Sequence, residues 1–139
     1  MLIVGEKLNS SIKRVAEAIE ARDAAAVQDL AKRQAEAGAD YLDVNAAMRV
    51  SQELDDLAWL IETVQAVVEA PLCIDSPNPA AIARGLALFR ASGRPGRPLV
   101  NSITGEPDRI HVILPLVAEH RCQVVALTSD EQGIPTTVE

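Results

Sequence analysis

With 139 residues, 48% of them hydrophobic, the chain has material for one sizeable core and about one domain. Its net charge of −7 opposes nucleic-acid binding, which needs a concentrated basic surface, and Tyr41, Trp59 and Phe89 are too few aromatics for a base-stacking platform. No apolar run approaches the ~20 residues of a bilayer span, and MLIVGEKLNS has no signal-peptide layout.

Cys73 and Cys122 make no disulfide framework, so the expected setting is a reducing, cytoplasmic one. The first strand-like run is Leu2 to Gly5, followed by a short helix over about Ser11 to Ala21. Asp23 then reads as the N-cap of a second helix carrying Val27, Leu30, Ala31 and Gln34 at helical spacing, stopped by Gly38. Tyr41 to Val44 is the second strand. A longer helix is expected from about Gln52 to Glu69, with Leu54, Leu57, Ala58, Ile61, Val64 and Val68 as its apolar stripe. Glu53, Asp56, Glu62 and Glu69 fall mostly off that stripe.

Pro71 to Ile74 is the third strand, and Asn78-Pro79 opens a helix that packs through Ile82, Leu86 and Phe89. The Gly93–Pro98 stretch is a loop by its glycines and prolines, and its Arg94 and Arg97 read as a solvated turn or a docking contact for an acidic partner. Leu99 to Val100 is the fourth strand, about Pro107 to Glu119 a helix using Ile110, Ile113, Leu114 and Val117, and Val124 to Leu127 the fifth strand. Strands alternating with helices at this spacing predict βαβ units and a parallel sheet, an α/β fold. The ending Thr136-Thr137-Val138-Glu139, where a threonine could cap another helix, reads as a cut through a larger barrel.

Each strand ends in polar residues: Glu6 with Asn9, Asp43 with Asn45, Asp75 with Ser76, Asn101 with Ser102, and Thr128 with Asp130. Side chains alternate along a strand, so Asp43 and Asn45 share one face while Leu42 and Val44 take the other. The same alternation sets Glu6 with Val4, Asp75 with Cys73, and Thr128 with Ala126. In a parallel sheet these tips converge at the C-terminal end, where such folds place their chemistry. A site therefore predicts one shared cavity with Asp75 deepest. Local caps and turns predict no such convergence: Asp75 would then cap the helix near Pro79, Asn101 would close a turn, and the rest would satisfy loop backbone. Cys73, Cys122, His111 and His120 fit no zinc spacing, so no metal site is expected.

The motifs Val4-Gly5-Glu6-Lys7-Leu8-Asn9, Leu42-Asp43-Val44-Asn45, Cys73-Ile74-Asp75-Ser76, Val100-Asn101-Ser102-Ile103 and Ala126-Leu127-Thr128 follow one another along the chain. In that order and spacing the chain resembles the methyltetrahydrofolate:corrinoid methyltransferases. It is also similar to the folate-binding module of cobalamin-dependent methionine synthase, and more distantly to dihydropteroate synthase. The resemblance implies a parallel (β/α) barrel of TIM type, here the first five or so βα units, an incomplete barrel. Residues 1–139 would be the N-terminal part of a pterin-binding domain.

The implied activity is binding of methyltetrahydrofolate and transfer of its N5-methyl group to a corrinoid cobalt carried by a partner protein or domain. By this resemblance the pterin is held by Asp75 and Asn101, with Glu6, Asn9, Asp43, Asn45, Ser102 and Thr128 around it. The chemistry agrees: a pterin presents N3–H and a 2-amino group side by side, and a carboxylate accepts both. A tertiary amine leaves poorly, so N5 needs proton or hydrogen-bond donation in the transition state. No residue here is placed to supply it, and the family's remaining pterin contacts come from strands six and later, so the catalytic residue is left unassigned. A dihydropteroate synthase-like enzyme is the alternative, although Ala46–Ser51 lacks that family's glycine-rich loop. A non-catalytic folate-binding or interaction half-barrel is the other. Open edges at the first and last strands would pair with other chains, so a homo-oligomer, a dimer, is expected.

Overall fold

The computed structural model describes residues 1–93 and 95–137. Its strands are Val4–Asn9 (β1), Tyr41–Asn45 (β2), Leu72–Asp75 (β3), Leu99–Ile103 (β4) and Gln123–Ala126 (β5). They lie side by side in chain order, each parallel to the next, with helical segments crossing between them. Those helices are Lys13–Glu20 (α1), Ala24–Glu36 (α2), Glu53–Gln65 (α3, after a 3₁₀ turn at Val50–Gln52), Pro79–Ala91 (α4) and Pro107–His120 (α5).

Local signals set several boundaries. The Asp23 carboxylate accepts from the Ala26 backbone N–H at 3.0 Å and starts α2, while Gly38, at φ +92°, follows its end. Asn78 Oδ1 likewise accepts from the Ala80 backbone N–H at 3.0 Å, with Pro79 in the first turn of α4. Gly5 lets α2 approach closely: a Cβ there would stand 2.8 Å from Gln34 Oε1 and displace the amide that accepts the Lys7 backbone N–H across the α2–β1 contact.

One face of the sheet carries nearly all of the core. Leu42, Val44, Leu72, Ile74 and Val100 point toward the helices and meet Val27, Leu57, Leu60, Ile61, Ile82, Leu86 and Ile113. At about 1.5–3 kcal/mol for each large side chain buried, this layer dominates the folding energy. The other face holds a narrow apolar band of Tyr41, Cys73 and Leu99 with Val4 and Val125. That face is concave. The Tyr41 hydroxyl reaches Gln123 Oε1 at 2.9 Å, from β2 to β5, and Asn101 of β4 reaches Asp43 of β2 at 3.3 Å across β3. In a flat sheet, strands two apart would stand roughly 9–10 Å from each other.

Several expectations need correction. β1 extends to Asn9 rather than ending at Gly5, because Leu8 and Asn9 pair with Val44 and Asn45 after a bulge that turns Leu8 into the core. The α3 stripe holds at Leu57, Ile61, Val64 and Val68, but Leu54 is exposed, and Leu60, Glu53 and Asp56 are buried. Asp56 is held by Arg22 at 2.8 Å and Arg49 at 3.6 Å, which is what makes its burial tolerable. Leu114 of α5 is exposed, and Ile113 provides the packing instead. Thr136 and Thr137 begin no helix among the described residues, Arg97 is exposed, and Arg94, Val138 and Glu139 lie outside the described residues. Among the described residues no helix is long and apolar enough to cross a membrane.

Candidate functional site

The register of the ladder stacks the polar tips in two layers above the apolar band. In the lower layer Asp43 of β2 lies opposite Cys73 of β3, and in the upper layer Asp75 of β3 lies opposite Asn101 of β4. Asn45, two residues beyond Asp43, joins the upper layer and donates from Nδ2 to Asp75 Oδ2 at 2.8 Å. Asn101 Nδ2 reaches down to Asp43 Oδ2 at 3.3 Å and ties the layers together. Asp75, Ser76, Asn101 and Ser102 line an open cleft of about 360 Å³, closed on its far side by Thr104, Glu106 and Arg109.

Asp43 rather than Asp75 is the deepest carboxylate, because it stands two residues before the end of β2 whereas Asp75 is the last residue of β3; Asp43 is 1% exposed and Asp75 half-buried. Burial raises the Asp43 carboxyl to about 6, opposed by hydrogen bonds from the Cys73 thiol and the Asn101 amide and reinforced by the charges of Asp75 and Glu6. Asp75 is also raised by burial, against the Asn45 amide, with Glu6 adding repulsion and Arg109 offsetting it. The Cys73 thiol is pushed far up by burial and the two aspartates, so it stays protonated and serves as a donor to Asp43.

Asn45 is fixed from several sides, since its Oδ1 accepts from the Ser10 hydroxyl at 3.1 Å and the Ala47 backbone N–H at 3.0 Å. Glu6 is exposed, on the same face as Val4 and near enough to act electrostatically on both aspartates. Asn9 is half-buried and accepts from the Ser11 backbone N–H at 2.9 Å, a loop-closing role. Thr128 lies beyond the end of β5, exposed, and does not line the cleft. The Asp130 carboxylate accepts the Gln132 backbone N–H at 2.8 Å and belongs to its own loop. The tips of β2, β3 and β4 are thus brought together, and the β5 tip is not.

The sequence reading passed over Ser10, Glu53, Thr104 and Arg109. The Thr104 hydroxyl is buried beside the cleft with no hydrogen-bond partner among the described residues. Arg109 spans the cleft wall, donating to the carbonyls of Ser102, Ser76 and Pro77. The one signal for it was its place in the first turn of a helix directly after the Asn101 tip.

The cleft offers acceptors deep inside, amides between them and a hydroxyl near the mouth. That suits a flat, donor-rich heterocycle: Asp75 has lone pairs left after Asn45 for a paired N–H and amino group, and Asn101 presents amide functions alongside.

Residues 5–139 match the family model described as "Pterin binding enzyme". Over its whole length the chain is 48% identical to the methylcorrinoid:tetrahydrofolate methyltransferase of Eubacterium limosum, covering 50% of that protein. It is 33% identical to a methionine synthase of Mycobacterium leprae and 31% identical to one of Mycobacterium tuberculosis, in each case covering 12% of the larger protein. The chain thus spans about half the length of the first relative and a small part of the others.

Proposed function

The chain belongs to the pterin-binding enzyme family, and from that premise we propose that it is the N-terminal part of a tetrahydrofolate-dependent methyltransferase domain. Its role is to bind the pterin ring of tetrahydrofolate or methyltetrahydrofolate for methyl exchange with a corrinoid carried by a partner protein or domain. The observation that carries this reading is the convergence of Asp43, Asn45, Asp75 and Asn101, as two hydrogen-bonded pairs, at the C-terminal ends of adjacent strands. Asp75 accepts the pterin N3–H and 2-amino group, Asn101 pairs with the neighbouring ring edge, and Asn45 and Asp43 hold those two side chains in place. Ser102 and Thr104 line the outer wall, with Glu6 contributing charge.

When a corrinoid is bound by the partner, its cobalt supplies the centre that gives or takes the methyl group. The Eubacterium relative is named with methylcorrinoid as donor and tetrahydrofolate as acceptor, the reverse of the direction expected from the motifs. The same pterin geometry serves both directions, because one transition state is crossed either way. A cytoplasmic location accompanies this reading. The outer edges of β1 and β5 are unpaired in the described sheet, so they are covered either by further strands of a longer polypeptide or by a second copy of the chain, which light scattering would register as a dimer.

The experiment is a titration of the chain with tetrahydrofolate and with methyltetrahydrofolate by calorimetry, alongside methyl exchange with free methylcobalamin followed by its visible spectrum. Saturable binding of both folates is expected. Absence of binding to either, in a chain shown folded by circular dichroism, overturns the proposal.

A further inference from the structure

The loop after β3 is gripped from two sides by ionisable side chains, Glu53 from α3 and Arg109 from the cleft wall. From α3, Glu53, 3% exposed, accepts the Ser76 hydroxyl on one carboxylate oxygen and the Asn78 side-chain amide at 3.2 Å on the other. Ser76 Oγ in turn accepts the Asn78 backbone N–H at 2.9 Å, and Ser76 is itself 2% exposed. From α5, Arg109 donates to Ser102 O from Nε at 3.0 Å and Nη2 at 2.8 Å, to Ser76 O at 3.0 Å, and to Pro77 O at 2.8 Å. Among the described residues Arg109 forms no ion pair, so its donors go to backbone carbonyls of two neighbouring strand ends. A guanidinium in this geometry fixes the spacing between the Asp75–Pro77 and Asn101–Ser102 segments.

Burying a carboxylate and enclosing a guanidinium costs desolvation, and apolar residues would fill the same space with less penalty. What charged groups add here is direction. We propose that Glu53 and Arg109 are positioning residues that aim the Asp75 carboxylate at the ligand, acting through Ser76, Asn78 and the strand-end carbonyls. This rests on the reading of Asp75 as the pterin acceptor. Arg109 also lines the cleft wall, so the comparison with Asp75 removed separates its action through that carboxylate from any contact of its own.

The test is a set of tetrahydrofolate titrations by calorimetry on the full chain, well below the thermal transition, with wild type, R109Q, R109K, E53Q, D75A and the double variant D75A/R109Q. In E53Q the new amide nitrogen faces either the Ser76 hydroxyl or the Asn78 amide. Asn78 cannot flip to match it, because its own Oδ1 caps α4. R109Q and E53Q are expected to weaken binding about tenfold, with R109K recovering part of the loss. In the D75A background, R109Q should change affinity by less than about twofold, because there is no carboxylate left to aim.

Wild-type affinity in R109Q and E53Q, with D75A impaired, overturns the positioning role and leaves the site reading standing. Fully additive losses in D75A/R109Q overturn it too, since Arg109 would then act independently of Asp75. Wild-type affinity in D75A overturns the site reading itself. Should R109Q fail to fold, the near-isosteric E53Q carries the same comparison, with D75A/E53Q as its double variant.

Discussion

The two faces of the sheet are made from the same strand residues, taken alternately, and they have different energetics. Toward the helices, Leu42, Val44, Ile74 and Val100 enter a continuous apolar layer in which position matters less than volume. On the concave side the apolar band is thin, and within one residue pair it gives way to two carboxylates and two amides held by directed hydrogen bonds. The helix face supplies surplus stability. The concave face uses some of it to keep Asp43 and Asp75 partly desolvated with raised carboxyl pKa values. Stability and binding should therefore separate by face.

The largest effect that would test this separation is in the core. Leu60→Ala, at a fully buried position of α3, is expected to lower unfolding free energy by about 2–5 kcal/mol. In urea denaturation and calorimetry run in parallel, it should leave tetrahydrofolate affinity in the folded protein unchanged; a matching loss of affinity would break the division. Asp75→Ala is the opposite case. Loss of the acceptor leaves two pterin donors unpaired, so affinity should fall by about 1–3 kcal/mol, while stability moves by less than about 1 kcal/mol.

Asp43→Asn sharpens the comparison through pH. The native carboxyl, at about 6 against an ordinary 3.8, holds its proton more tightly than the unfolded one. Stability from this group is thus fully present below about pH 4 and is lost as pH rises through about 6. Wild type should lose about 1–3 kcal/mol relative to Asp43→Asn across that window, read from urea midpoints at pH 4, 5, 6 and 7. A flat difference would show that Asp43 ionises without penalty. The smallest effect is expected outside both faces. Lys13, 3.8 Å from Glu17 on the solvated face of α1, should move neither the thermal midpoint nor folate affinity when changed to alanine.

What could be read beforehand was what a strand or helix encodes by itself. Asp23 and Asn78-Pro79 gave true helix starts because a cap needs only its own next residues. The alternation at Leu42-Asp43-Val44-Asn45 put carboxylate and amide on one face because period two is local. The misses came where a partner lay far along the chain. Glu53 and Asp56 look like surface charges on α3 until Ser76, Asn78, Arg22 and Arg49 are brought beside them. Asp75 was expected deepest, but depth follows position along the strand: Asp43 lies two residues before the end of β2, opposite Cys73, one layer below Asp75 at the end of β3. Thr128 matched a motif, yet β5 stops at Ala126 and leaves it outside the cleft.

The strand order has a kinetic corollary. In the described sheet each strand after the first pairs with the strand one crossover earlier in the chain, so none of these pairings waits for a distant segment. Closing such loops costs entropy that grows only slowly with length, and each closure finds its template already laid down. The sheet can therefore accrete in the order of synthesis, with β2 docking on β1 before β3 has emerged. The Asp75–Asn101 pair is formed only at the fourth strand, so binding competence should arrive late, as the chain lengthens past Ile103.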